Sequence, residues 1–135
     1  MAQNFQPVFA LVPETKVNVK ITATTTDKSG ATTANMKDLL TADTDGTKVT
    51  WIKYKHEGTS GAGIFLVWIT DTAGANPTLF YESTYTAITS STTVATAEGT
   101  ITFNDLQLKS GQKIQVGATV TTSTIHVTAS IGDFS

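Results

Sequence analysis

The chain has 135 residues, 28 of them threonine, with no cysteine and no arginine, a formal net charge of −2 and only 15% charged residues. That length predicts one domain with its own core, and the missing cysteines exclude disulfides and thiolate metal sites. The basic residues are nine lysines spread from Lys16 to Lys113; without a basic face or bidentate arginines, no nucleic-acid partner is expected.

Threonine is β-branched, fits a pleated strand and tolerates water through its hydroxyl, so this composition predicts sheet with wet outer faces. No apolar run approaches the ~20 residues that span a bilayer, so no membrane partner is expected. The start, Met1-Ala2-Gln3-Asn4-Phe5, lacks the basic and long apolar regions of an export signal, which predicts synthesis and folding in the cytosol.

Residues 1–13 read as an extended arm, because Pro7 and Pro13 break helices and bias the preceding residues toward extended backbone. The arm carries Phe5, Val8, Phe9, Leu11 and Val12, which a solvated tail would not need. They either cover an open end of the domain or dock on a neighbouring subunit. Residues 14–135 read as a single domain.

Val17 to Ile21 alternates apolar and polar, the pattern of a half-buried strand. Asp27 to Gly30 is a turn by composition, and residues 31–42 are ambiguous between a helical turn and a short strand. Asp43-Thr44-Asp45-Gly46 is a further turn. Lys48 to His56 is a strand in which Val49 sits on the opposite parity from Ile52 and Tyr54; a bulge near Thr50 and Trp51 would reconcile them. Ile64 to Ile69 is apolar at both parities, so both faces must be covered. One face is core; the other meets a loop, the arm or another subunit. Phe65, Val67 and Ile69 are therefore candidate interface residues with Phe5, Val8, Phe9 and Leu11.

Thr78 to Thr86 alternates, Ser90 to Thr96 is polar and of low complexity, and Thr100 to Phe103 is a short strand followed by Leu106 and Leu108 as plugs of the domain end. Ile114, Val116, Ala118 and Val120 form one apolar face and Ile125, Val127, Ala129 and Ile131 another, joined through Thr121 to Thr124 as an expected hairpin. The total is about eight strands: an all-β, antiparallel two-sheet sandwich or a barrel.

Chemistry-bearing patterns are sparse. His56 and His126 are the only imidazoles and read as surface residues. The Asp43–Gly46 turn lacks the twelfth-position glutamate of a calcium loop, where Tyr54 stands. No paired carboxylates or nucleophile elbow are evident, so neither an enzyme nor a cofactor is expected. Trp51, on the parity opposite Ile52 and Tyr54, is the candidate exposed aromatic, suited to stacking on a sugar.

From Thr47 onward the order of motifs resembles a family of small tailed-phage and prophage proteins encoded among virion genes. The matching parts are Val49 to Lys55, the Gly58–Gly63 turn, Ile64 to Asp71, Tyr85 to Thr89, Asp105-Leu106-Gln107-Leu108-Lys109-Ser110-Gly111 and Ile131-Gly132-Asp133-Phe134. They span about two-thirds of the chain, with Lys53 and Lys55 where family members often carry arginine. The resemblance implies a jelly-roll-like sandwich, with an immunoglobulin-like one as the alternative. It also implies a virion structural protein that decorates or cements the capsid exterior, with the major capsid protein and copies of itself, as a homotrimer, for partners. The alternative function is a receptor- or glycan-binding knob of a tail fibre.

Overall fold

The computed structural model describes residues 11–134, in which eight strands carry the alternating segments: β1 (Leu11–Ile21), β2 (Lys37–Thr41), β3 (Thr47–His56), β4 (Gly63–Ile69), β5 (Thr78–Tyr85), β6 (Glu98–Leu108), β7 (Lys113–Ala118) and β8 (Ile125–Phe134). Residues 31–42 thus resolve to a short strand, β2. One sheet has the order β1-β8-β3-β6 and the other β2-β7-β4-β5, and every neighbouring pair is antiparallel.

Consecutive strands change sheets at each step except β4 to β5. This double Greek key is a jelly roll; the immunoglobulin arrangement would place the first two strands side by side in one sheet. The expected hairpin at Thr121–Thr124 is therefore a crossover. β7 pairs with β2 and β4, while β8 pairs with β1 and β3. The two apolar faces oppose each other across the core, an arrangement that leaves the same alternating pattern as a hairpin.

The bulge near Thr50 is present: β3 shifts register between Val49 and Trp51 against both of its neighbours. It brings Val49, Ile52 and Tyr54 onto one face, where all three are buried. The central core joins them to Ile21, Phe65, Val67, Ile114, Val116, Ile125, Val127 and Ile131. The predicted short strand at Thr100 is part of the longer β6, with Leu108 buried at its end and Leu106 packed on the core.

A second cluster lies on the outside of the β2-β7-β4-β5 sheet, where Leu66 and Trp68 are fully buried beside Met36, Ile64 and Leu79. The connection between β1 and β2 covers it. The Thr25 amide donates to Ala118 O at 2.8 Å, Trp68 Nε1 donates to Lys28 O at 3.2 Å, and Lys28 Nζ lies 2.6 Å from Glu82 Oε1. Of the three covers open to β4 by sequence, the intramolecular loop is the one found.

β1 is an edge strand whose form discourages further pairing. Pro13 has no amide hydrogen to offer, and the register breaks between Lys16 and Val19 with Asn18 at φ 68°. Glu14 and Lys16 pair with Ile131 and Ala129 and so point to the core side of the edge, where they form a 3.0 Å ion pair. The strand begins at Leu11, so residues 11–13 of the expected arm belong to the sheet.

The turn between β6 and β7 depends on Gly111, which has φ +89°, and a Cβ there would lie 2.0 Å from Thr72 O. Gly111→Ala is expected to cost about 1–3 kcal/mol from the left-handed backbone alone, with displacement of the Thr72 carbonyl in addition. A urea titration of the variant checks this; an unchanged midpoint would show that the turn is not constrained.

Candidate functional site

The sites proposed from sequence are placed very differently by the fold. Phe5, Val8 and Phe9 lie outside the described residues. Leu11 is 36% exposed at the start of β1. Phe65 and Val67 are fully buried in the central core, and Ile69 is partly buried against it. These three residues of β4 are corrected from interface to core, because they alternate onto the inner face while the loop seals Leu66 and Trp68 on the outer one.

The exposed large apolar residues are instead Leu11, Val12, Val17, Phe80, Tyr81 and Val94. Five of these six belong to edge strands: three to β1 and two to β5. In the stacking of the sheets β1 lies by β2 and β5 by β6, so the two patches sit on opposite flanks. Sequence alternation placed Val17 with Val19 and Ile21; the bulge at Asn18 leaves it 55% exposed. The asparagine was the available signal, since it adopts positive φ more readily than most residues. A second bulge, opposite Val67 and Trp68, falls at Phe80, which is 46% exposed and whose ring lies 5.8 Å from that of Phe103 on β6.

Trp51 is half-buried on the outer face of the other sheet. Its paired neighbours are Ser130 on β8 and Thr102 on β6, and Ser130 pairs in turn with Thr15. The same face presents Lys53 and Lys55, 3.1 and 3.6 Å from the two Glu98 carboxylate oxygens. The hydrogen bond from Lys53, with the charges of both lysines, holds the Glu98 carboxyl below its usual range. An aromatic ring bordered by hydroxyls and an ion-paired cluster is chemically suited to stack on and hydrogen-bond a sugar.

The histidines part company. His126 is on the outer face with Nε2 3.2 Å from Glu57 Oε2. His56, expected at the surface, is 2% exposed, because two residues beyond Tyr54 in a regular strand it shares the inner face. Its ring meets Tyr85 edge-on at 4.5 Å, its Nδ1 lies 3.2 Å from Ala97 O, and its Nε2 has no protein partner. Burial lowers its pKa, only partly opposed by the Ala97 carbonyl. The folded state therefore keeps this imidazole neutral while the unfolded chain takes up a proton near pH 6.5. The stability that depends on His56 is intact above that pH and is lost as pH falls toward the folded value. The slope is at most about 1.4 kcal/mol per pH unit. The depressed carboxylates Asp27, Asp38, Asp71 and Glu98 act mainly in a more acidic window. Urea titrations at pH 7 and pH 5 should show a loss in wild type that His56→Phe abolishes; equal losses in both would exonerate His56.

Both aspartate turns carry internal hydrogen bonds. Asp71 accepts from the amides of Ala73 and Ala75 and from Asn76 Nδ2. At the other turn the Asp43 amide donates to Thr47 Oγ1, which donates at 2.6 Å to Asp133 Oδ1. Among the described residues no three His, Asp or Glu side chains gather as a metal site.

This second turn borders an open cleft of about 550 Å³ at one end of the sandwich. Leu108 and Phe134 supply its apolar lining, Gly46 and Ser110 are small, and Asp45 and Lys109 are charged. The volume is within the range that seats a ligand or a few side chains. Leu11 pairs with Phe134, so the described chain begins next to this cleft. Searches of family models, curated proteins and solved structures find no match to the chain.

Proposed function

We propose that this chain is a structural protein of a tailed-phage virion, a decoration or cement protein on the capsid exterior that contacts the major capsid protein and copies of itself. The observation that carries this reading is the placement of exposed apolar side chains on opposite flanks, Leu11, Val12 and Val17 on β1 and Phe80 and Tyr81 on β5. A domain with two separate apolar flanks can touch two neighbours at once, as a component of a repeated surface must. Symmetry then multiplies a modest contact over many sites. The jelly roll and the ordered motifs of the phage-like resemblance support the same reading. Quantitative gel electrophoresis of purified particles tests it: hundreds of copies per particle are expected, and absence or a handful of copies ends it.

Trp51 favours a second reading, a glycan-binding knob of a tail fibre. Trp51 is half-buried on the outer face of its sheet, paired with Ser130 and Thr102, and Ser130 pairs in turn with Thr15. On this reading the protein binds specific glycans on an array and Trp51→Ala weakens that binding at least about tenfold, the loss of roughly 1.4 kcal/mol of stacking. No bound glycan, or binding indifferent to Trp51, removes it.

A further inference from the structure

We propose that the outer face of the β1-β8-β3-β6 sheet binds an acidic oligosaccharide, with one sugar stacked on Trp51 and carboxylates of the following sugars on Lys53, Lys55 and Lys20. This inference rests on the glycan-binding reading and names the class of glycan. The strand pairings lay the face out in rows. Trp51 lies between Ser130 and Thr102. Two residues on, Lys53 lies between Thr128 and Thr100. Two further on, Lys55 lies between His126 and Glu98, and Lys20 stands on the far side of His126. Each of these residues is exposed or half-buried. The hydroxyls of the first two rows can donate to and accept from sugar hydroxyls.

Charge selects the ligand class. The ammoniums of Lys20, Lys53 and Lys55 stand there with the carboxylates of Glu98 and Glu57, a positive surplus in a chain whose net charge is −2. Glu98 is shared, 3.1 Å from Lys53 Nζ and 3.6 Å from Lys55 Nζ, and Glu57 faces His126. Among the described residues no carboxylate pairs with Lys20. An ammonium has three donors, and the side chains of Lys53 and Lys55 are 42% and 45% exposed. Each therefore has a donor to spare for a second carboxylate. Successive outward residues of β3 are about 6.6–6.8 Å apart and neighbouring strands about 4.8 Å. The cations are thus single and spaced, stepping away from the ring. A glycan with one carboxylate on each sugar, or on every second one, has charge of that kind. Duplex nucleic acid carries a charge about every 1.7 Å and is read best by arginine forks, and the chain has no arginine. A neutral glycan would leave the cationic rows without a counterpart.

Calorimetric titration of the full-length protein tests this with oligogalacturonate, hyaluronan oligosaccharides, neutral maltooligosaccharides of equal length, inorganic polyphosphate and single-stranded DNA. At least one acidic sugar should bind about tenfold more tightly than every other probe. That advantage should vanish in 1 M salt, where the screening length falls to about 3 Å. Glu98→Gln releases two ammoniums and should tighten acidic-sugar binding roughly two- to fivefold, a gain that misfolding cannot imitate. Combined Lys20→Gln, Lys53→Gln and Lys55→Gln should weaken it about tenfold, whereas arginine at the same three positions should preserve it. Equal binding of acidic and neutral sugars, both weakened by Trp51→Ala, overturns the acidic class and leaves the glycan reading standing. Polyphosphate or DNA bound as tightly as the acidic sugars overturns it as charge attraction alone. Acidic-sugar binding indifferent to Glu98 and to the lysines also overturns it. Binding of neither kind of sugar ends the inference, while the glycan array decides the broader reading and particle copy number the decoration reading.

Discussion

Phe65→Ala is expected to destabilise the isolated domain by about 3–5 kcal/mol, the usual cost of truncating a buried aromatic ring. The ring is fully buried and stacks on Tyr54 at a centroid distance of 4.5 Å and an interplanar angle of 22°. Tyr54 is held from its other end by the hydrogen bond to Ser83 Oγ at 3.0 Å. The partners of Phe65 belong to a rigid two-sheet frame and can close only part of the void. Against a total of about 5–15 kcal/mol, the loss is a large fraction. For a domain of this size it lowers the melting temperature by roughly 10–20 °C. Thermal unfolding of dilute protein checks this. A contact residue between subunits would behave otherwise: the dilute domain would melt within about 0.5 kcal/mol of wild type, and only association would suffer.

Trp68→Ala is expected to cost a similar ~3–5 kcal/mol, with a different local signature. The indole is the largest fully buried side chain on the outside of its sheet, and the β1–β2 connection is laid over it. Gly117 permits the close fit, since a Cβ there would sit 3.0 Å from a ring carbon of Trp68. Removing the ring takes the floor from beneath Met36 and the donor from Lys28 O. Hydrogen exchange should then accelerate at the amides of Thr25 and Met36, which bond to Ala118 O and Thr33 O, more than in the centre of β8. Trp68→Phe keeps most of the apolar contact and should lose about 1 kcal/mol with the hydrogen bond. Equal protection of residues 22–36 in wild type and Trp68→Ala would show that the connection is held by something else.

Both substitutions concern a strand whose composition was readable and whose surroundings were not. That Ile64–Ile69 is covered on both sides follows from its run of apolar residues. What covers the outer side does not, because the connecting segment contains little apolar material besides Met36 and is fastened by backbone hydrogen bonds and an ion pair. The Thr50 bulge was legible from the parity conflict of Val49 with Ile52 and Tyr54. The Asn18 bulge was signalled by residue type alone, because Val17, Val19 and Ile21 alternate without conflict. β7 and β8 carry clean alternation that says which residues face inward but not which sheet holds the strand. His56 was misread because of its polarity: at the end of an alternating strand it follows the phase of Ile52 and Tyr54 into the core. The exposed flanks at β1 and β5 were the least visible part of the candidate site, since their apolar residues differ from core residues only in where the sheets stop.

Any protein built on open sheets risks unlimited polymerisation through a strand that can recruit another. Here the proline, the kinked register at Asn18 and the Glu14–Lys16 pair deny the margin of β1 a regular ladder of donors and acceptors. Growth of this sheet past β1 along the hydrogen-bonding direction is thereby discouraged. At this margin a neighbouring copy finds no regular ladder on which to add a strand and begin a fibre.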